Sequence, residues 1–474
     1  MQKVTPGREW PLFDVAATRA LEQAAASGLA PHTLMQRAGL ATARLALALA
    51  PHARTVWIAC GPGNNGGDGF EAALHLKAWG KAIVATLAGS AERLPEDAAR
   101  SLARARDAGV TVATEPPTEW DLCIDALLGI GAARPLSGAI AAAADRINAG
   151  GSPVLSVDIP SGLAADTGAG ASVRATATLS LLTLKPGLFT AGGRDACGDL
   201  WFDDLGVAPA QPPTAALSAA PPPVARLHAS HKGSYGDVAV VGGGPGMAGA
   251  AVLAASGALH SGAGRVFVGF LDAGAGALVP GQPELMVRDW TTLPLEPLAV
   301  ACGCGGGTAV AGALPAVLQR SRSLVLDADA LNAVAAEPAL QAQLQGRAAP
   351  TVITPHPLEA ARLLGSSTNE VQSDRLRAAR ELASRYRCIV VLKGSGTVIA
   401  APDALPRINP TGNARLATGG TGDVLAGMVA AALAAGGDPL AAACAAVYRH
   451  GLQADRWPAD RPLVAGDLAR SLLA

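Results

Sequence analysis

Asn409-Pro-Thr-Gly-Asn413 precedes Ala417-Thr-Gly-Gly-Thr-Gly-Asp423, which runs directly into the apolar segment Val424-Leu-Ala-Gly-Met428. This reads as a polar glycine loop opening a buried helix. Backbone N–H groups in such a loop point at an anion, and the helix N-terminus adds the positive end of its dipole. Asp423, in the first turn, is out of place in a plain phosphate cradle. Locally, an N-cap role would account for it. A phosphoryl-transfer site requires such a carboxylate, because a hydroxyl proton must leave while the glycines stabilise phosphate charge. We read Asp423 as that base.

Upstream of this loop, short apolar runs alternate with helical patterning. Asp237–Val241, Arg265–Gly269, Leu298–Ala301, Ser323–Leu326, Thr351–Ile353 and Cys388–Leu392 read as strands. Alternation of this kind implies a mainly parallel sheet covered by helices. The same pattern occurs earlier, at Thr55–Cys60, Lys81–Leu87, Leu122–Asp125 and Val154–Asp158, after helical patterning from Asp14 to Leu49. Between the halves, Val207 to Pro223 is dominated by Ala, Pro, Gln, Ser and Thr, a composition suited to a semi-rigid linker. The expected organisation is a first α/β domain at 1–208, a linker at 209–223 and a second α/β domain at 224–474.

Composition narrows the function classes. The 474 residues are half hydrophobic and 16% charged, with a formal net charge of −1. That balance gives no electrostatic reason to expect nucleic acid or an anionic membrane as partner. Seven cysteines without a CxxC pair argue against a disulfide framework and for a reducing, cytoplasmic compartment. Met1 to Trp10 lacks an apolar signal-peptide core, and the apolar run from Val424 is broken at Gly436-Gly437-Asp438-Pro439. Small-molecule partners are expected, on a homo-oligomer.

Both halves match G-x-G-x-x-G after a strand, at Gly61–Gly66 and Gly244–Gly249. A dinucleotide site is one reading. The first loop, however, continues as Asn64-Asn65-Gly66-Gly67-Asp68-Gly69, with more directional side chains than a pyrophosphate turn needs. Asp125, Asp158 and Ser161 stand at strand ends, where open α/β sheets bind ligands. With Asn65 they offer oxygens suited to a hard cation or a polar ligand. A cap or turn role would account for any one of them singly.

Gly63–Gly69, Asp125-Ala-Leu-Leu-Gly-Ile-Gly131 and Val157-Asp-Ile-Pro-Ser-Gly162, with Leu34-Met-Gln-Arg-Ala-Gly39, resemble the NAD(P)H-hydrate epimerase family over about residues 10 to 205. The resemblance implies a Rossmann-like three-layer sandwich that holds the damaged cofactor as substrate. It implies substrate contacts from Asn64, Asn65, Gly66, Gly67 and Asp68, and from the loop Gly129, Ile130, Gly131, Ala132, Ala133, Arg134 and Pro135. Asp158 would be the acid/base residue, and Asn65, Asp125 and Ser161 would hold K+. Ala164 departs from the Asn common in the family.

In the second half, Val391-Leu-Lys393-Gly-Ser-Gly-Thr397, His356 between two prolines, Asp327 and Asp329, and His231–Gly236 accompany the glycine loop. Together they resemble the ADP- or ATP-dependent NAD(P)H-hydrate dehydratases, a branch of the ribokinase-like α/β fold, from about His231 onward. By that resemblance Lys393, Gly394, Ser395, Gly396, Thr397 and Gly422 would bind the adenine nucleotide. Ala251, Gly305, His356 and Asp423 would contact the hydrate, ADP would be the phosphoryl donor, and Mg2+ would accompany it. Cys304 stands where the family usually has Pro. The implied chain is a bifunctional repair enzyme. Its rivals are a ribokinase-like small-molecule kinase fused to a Rossmann-like binding domain, a dehydrogenase, and a nucleotide-binding regulatory or scaffold protein.

Overall fold

The computed structural model describes residues 1–131, 135–223, 226–276 and 278–472. The chain divides into two compact units: Met1–Thr5 with Trp10–Ala216, and Pro6–Glu9 with Leu217–Ala474.

The strands of the first unit are β1 (Thr55–Cys60), β2 (Ala82–Leu87), β3 (Thr111–Ala113), β4 (Leu122–Ala126), β5 (Val154–Val157), β6 (Ala177–Leu181) and β7 (Asp199–Asp203). Their spatial order is β7-β6-β5-β4-β1-β2-β3, all parallel, with Gln2–Lys3 antiparallel along β7. The chain therefore winds one way from β1 to β3 and the other way from β4 to β7. The reversal lies between β1 and β4, and the loops leaving those two strands diverge there, which opens a crevice at their carboxyl ends. Those loops are Gly61–Gly63 and Leu127–Gly131. A Cβ on Gly61 would lie 1.7 Å from the Leu127 carbonyl oxygen. The first glycine fingerprint thus serves close packing between the two switch-point loops.

The second unit repeats the scheme. Its strands are β8 (Asp237–Gly242), β9 (Arg265–Phe270), β10 (Ala299–Cys302), β11 (Ser323–Leu326), β12 (Thr351–Ile353), β13 (Ile389–Leu392), β14 (Val398–Ala400) and β15 (Arg407–Ile408). The order runs β9-β8-β10-β11-β12-β13 in parallel, followed by antiparallel β14 and β15. Here the reversal lies between β8 and β10. The loops beyond them are stitched together: the Gly243 N–H donates to the Cys304 carbonyl at 3.0 Å and the Gly244 N–H to Gly305 at 2.7 Å.

The Thr421–Ala434 helix is apolar on nearly every side and buried along most of its length, as a core helix must be. It crosses the Ala248–His260 helix backbone to backbone. A Cβ on Gly427 would stand 1.8 Å from the Ala254 carbonyl oxygen, and one on Gly257 would stand 2.4 Å from that of Val424. Gly427→Ala is therefore expected to force the two helices apart. The cost is about 3 kcal/mol, or a Tm lower by roughly 6 °C for this unit, measured by calorimetry.

The Ala/Pro tract is more structured than its composition suggests. Ala215–Leu217 is a strand, and its three side chains are buried. Within the first unit the Thr214 N–H donates to the Leu12 carbonyl, and within the second the Ser218 N–H donates to the Ile408 carbonyl. Alanine is small enough to be buried in a strand, so low hydrophobic bulk does not by itself make a linker. All seven cysteines are free thiols. Among the described residues no helix is long and apolar enough to cross a membrane.

Candidate active sites at the two switch points

The first crevice opens into a cavity of about 550 Å³ whose walls include Asn64, Asn65, Asp68, Gly129, Ile130, Gly131, Asp158 and Lys185. Glu22 and Arg19 enter it from the Val15–Gly28 helix. The loop after β1 ends at Gly63, the N-cap of the Asn64–Ala78 helix, so Asn64, Asn65 and Asp68 occupy its first turns. Gly66 and Gly67 turn away from the cavity. A Cβ on them would meet the Gly61 carbonyl at 2.1 Å and the Met35 sulfur at 2.5 Å. Pro135 is exposed, while Ala132, Ala133 and Arg134 lie outside the described residues.

Asp158 sits at a sharp turn beyond β5. Its φ is +68°, and the Ile159 N–H donates back to the Val157 carbonyl at 2.9 Å. Next to it, beyond β6, Leu182 has φ +61° and the Thr183 N–H donates back to Leu181 at 2.7 Å. Tight three-residue turns at positive φ are strained for residues with a side chain, and such strain concentrates at functional sites. The Asp158 carboxylate receives the Lys185 ammonium on Oδ1, with the Leu181 N–H at 3.3 Å. Its Oδ2 and the Asn65 Oδ1 each lie 3.3 Å from the point where a Cβ on Gly129 would stand. Glycine at 129 thus leaves room for a ligand between them.

Asp125 and Ser161 are fully buried. The carboxylate accepts from Ser156 Oγ (2.8 Å), Ser161 N–H (2.9 Å), Ser161 Oγ (2.6 Å) and Leu127 N–H (3.3 Å), all neutral donors. Burial pushes its carboxyl upward, against these hydrogen bonds. Asp68 is raised well above the usual carboxylate range, first by burial and then by the charge of Asp158; Glu22 is raised by the same two causes.

In the second unit Asp423 stands in the first turn of the Thr421–Ala434 helix, behind Gly420 at φ +92°. Asp327, at the end of β11, is buried; it accepts the Lys393 ammonium at 2.6 Å and the Thr354 hydroxyl at 2.8 Å. Cys304 Sγ and the Asp327 and Asp423 carboxylates lie within 4.8 Å of one another. Gly422 faces this cluster, since a Cβ there would come 3.3 Å from Lys393 Nζ. Burial first, then the Asp327 charge, push the Asp423 carboxyl up to about 6. Burial alone would depress the Lys393 ammonium, but Asp327 and Glu359 carry it upward. Burial and the two carboxylates push the Cys304 thiol well up, so Cys304 is a neutral neighbour. The helix start is held from behind by His450. Burial pushes that imidazole down to about 4, and its Nε2 lies 2.9 Å from the Thr421 carbonyl.

The Lys393–Thr397 loop is shaped from below by the buried Arg375 guanidinium, which donates to the Leu392 and Lys393 carbonyls at 3.1 and 3.2 Å. His356 caps the Pro357–Leu364 helix. Its Nδ1 accepts the Leu358 and Glu359 N–H groups, and its Nε2 lies 3.2 Å from Glu359. Nδ1 is thus engaged in capping, while the ring itself stays half-exposed. Glu359 is buried, and burial pushes its carboxyl up to about 7. Gly305 lies in the switch-point turn at φ +59°. Ala251 is fully buried with its Cβ against the Gly243 turn, so it shapes that turn and presents no surface of its own.

Sequence reasoning missed Lys185, Glu22, Arg19 and Glu359. For Lys185 a signal existed: a lysine inside Leu181-Leu-Thr-Leu-Lys-Pro186, an apolar run unsuited to an exposed amine. Glu22 and Arg19 carried none, because their helix reaches the cavity only through packing.

The family comparisons agree with this geometry. A family model described as NAD(P)H-hydrate dehydratase matches residues 238–473, and one described as YjeF-related protein N-terminus matches residues 31–187. The bifunctional NAD(P)H-hydrate repair enzyme of Escherichia coli (strain K12) is 40% identical over 480 residues, covering 95% of this chain and 90% of that protein. The ADP-dependent (S)-NAD(P)H-hydrate dehydratase of Neisseria meningitidis serogroup B is 42% identical over 252 residues, 52% of this chain and 85% of that one. A crystal structure of the ADP/ATP-dependent NAD(P)H-hydrate dehydratase from Bacillus subtilis, co-crystallized with ATP/Mg2+, is 37% identical, with a TM-score of 0.45 over 52% of this chain and 90% of that one. With two switch-point sites and a relative matched along nearly its whole length, this chain belongs to the bifunctional NAD(P)H-hydrate repair enzymes.

Proposed function

We propose that the first unit interconverts the R and S hydrates of NADH and NADPH at Asp158, and that the second unit dehydrates the S form at Asp423 with ADP. One observation carries this reading: each switch-point site holds an incompletely buried aspartate within a lysine–carboxylate cluster, Asp158 in direct contact with Lys185 in the first unit, and Asp423 within 4.8 Å of Asp327, which accepts the Lys393 ammonium, in the second.

In the second unit, Asp423 takes the proton of the ring hydroxyl. The hydroxyl oxygen then forms a bond to the terminal phosphorus of ADP, and the bond from that phosphorus to the AMP oxygen breaks. The Gly420–Asp423 helix start and Lys393 stabilise the phosphate charge. Phosphate then leaves the ring carbon, pushed by the lone pair of the adjacent nitrogen, and loss of a proton from the neighbouring carbon restores the dihydropyridine. The Lys393–Thr397 loop and Gly422 hold the nucleotide, while Gly305 and His356 border the hydrate. Mg2+ bound with the nucleotide would neutralise phosphate charge, and Asp327 is a hard carboxylate at hand for it.

In the first unit, Asp158 Oδ2 gives and takes the proton of the hydroxyl. The ring nitrogen expels that hydroxyl or opens the ring, and the planar centre re-forms in either configuration. Asn64, Asn65, Asp68 and the loop from Gly129 to Pro135 bind the substrate. K+ would be held by the oxygens of Asn65, Asp125 and Ser161, the set that the family resemblance implies. Asp125 is a fully buried carboxylate hydrogen-bonded by neutral groups, and a monovalent cation would balance its charge. If K+ binds there, exchanging tetramethylammonium for K+ at constant ionic strength should raise the Tm of the first unit by roughly 2–4 °C in the wild type and not in Asp125→Asn. An equal rise in both proteins would remove K+ from this site. The free thiols suit a reducing, cytoplasmic compartment.

The decisive experiment supplies mixed hydrate epimers with ADP. Complete conversion to NAD(P)H is expected. Conversion that stops at one epimer would exclude the epimerase half of this reading.

A further inference from the structure

We propose that Lys185 is the positioning residue of the first site: its ammonium clasps the two strained turns beyond β5 and β6 and thereby aims Asp158 Oδ2 into the cavity. This rests on the reading of Asp158 as the acid/base group.

Lys185 is fully buried. An ammonium withdrawn from water persists only when its protons are taken up. Here Nζ donates to Asp158 Oδ1, to the Leu181 carbonyl at 2.8 Å and to Ser180 Oγ at 3.3 Å. All three protons are committed within the protein, so Lys185 has none left for a substrate hydroxyl. It acts through Asp158.

The Leu181 carbonyl also accepts the Thr183 N–H that closes the second turn, and the Leu181 N–H reaches Asp158 Oδ1 at 3.3 Å. The ammonium therefore ties the strained backbone of one turn to the side chain of the other. With Oδ1 occupied, Oδ2 is the oxygen left facing Asn65 and Gly129.

Charge adds a second role. The cavity holds three carboxylates, Asp158, Asp68 and Glu22, and two cations, Lys185 and Arg19. Groups of one sign in one cavity cannot all ionise freely. Burial and the Asp158 charge push Asp68 and Glu22 upward. The direct ammonium contact belongs to Asp158 alone of the three. By contact, Lys185 thus sets Asp158 apart from the other two carboxylates.

The test uses the full-length protein. Wild type, Lys185→Met, Lys185→Ala, Asp158→Asn and the double variant Asp158→Asn/Lys185→Met are assayed for R-to-S conversion, with dehydration of pure S hydrate as a check on the second unit. In Lys185→Met, kcat for epimerisation should fall about 100-fold while KM stays within about 3-fold. In Lys185→Ala, ethylammonium should restore part of kcat saturably, and ethanol should not. The double variant should be no slower than Asp158→Asn, because Lys185 acts through the group already removed. It loses both charges together, so it also serves if a single variant fails to fold. Wild-type kcat in Lys185→Met, or an additional loss in the double variant, overturns the proposal. A wild type that does not epimerise overturns the underlying reading instead.

Discussion

Asp423→Asn is expected to lower the rate of ADP-dependent dehydration by about 10³-fold while making the second unit more stable at neutral pH. The loss follows from chemistry: an amide cannot take the hydroxyl proton, and a positioned general base contributes about 10²–10⁴-fold. The gain follows from electrostatics. Burial and Asp327 push this carboxyl from 3.8 up to about 6, so the folded state holds the proton more tightly than the unfolded chain does. As pH rises from about 4 to about 6 the folded state loses that advantage, and above 6 the ionised carboxylate opposes folding. Two units correspond to roughly 2–3 kcal/mol at neutral pH, and asparagine removes that cost. Calorimetry at pH 7.5 should show a higher Tm for the variant, with the difference vanishing near pH 4. In the wild type, kcat for dehydration should fall as pH drops through about 6, because protonated Asp423 is no base. A variant that is both inactive and less stable would mean that this carboxylate supports the fold rather than the reaction.

Asp158→Asn should leave dehydration of pure S hydrate intact and stop conversion of a mixture once its S fraction is consumed, apart from slow spontaneous epimerisation. An expected loss of about 10²–10³-fold in epimerisation follows from removing Asp158 Oδ2, a titratable oxygen that shares with Asn65 Oδ1 the space left open at Gly129. The time course is the readout: a rapid phase ending near the S fraction, then a crawl. A single complete phase in Asp158→Asn would mean that Asp68 or Glu22, the other carboxylates of the cavity, carries the proton.

The α/β class was legible because buried parallel strands must be short, continuous and apolar. Thr55–Cys60, Arg265–Phe270 and Ser323–Leu326 are such runs, each bounded by polar or glycine-rich loops. Ala177–Leu181 and Asp199–Asp203 were missed, since Ser, Thr and Asp within them mask the apolar pattern. Ala215–Leu217 is a strand inside the expected linker, because alanine and proline carry little strand signal. Both glycine fingerprints invited a dinucleotide reading that local pattern could not settle. Only the position of Leu127 beside Gly61 explains why glycine is needed there.

The chain's own order of residues determined which chemistry was present: carboxylates at strand ends, a lysine before a glycine loop, and an aspartate at the start of an apolar helix. Such features are local, and they follow from strand and helix periodicity and from turn chemistry. Tertiary structure decided which of them act together. It placed Lys185 against Asp158 across 27 residues and Lys393 against Asp327 across 66. It also committed His356 Nδ1 to a helix cap and turned Gly66, Gly67 and Ala251 away from open space. The physical reason is that a carboxylate's proton affinity depends on burial and on charges within a few ångströms, and those distances exist only once the sheets have wound in both directions from their switch points.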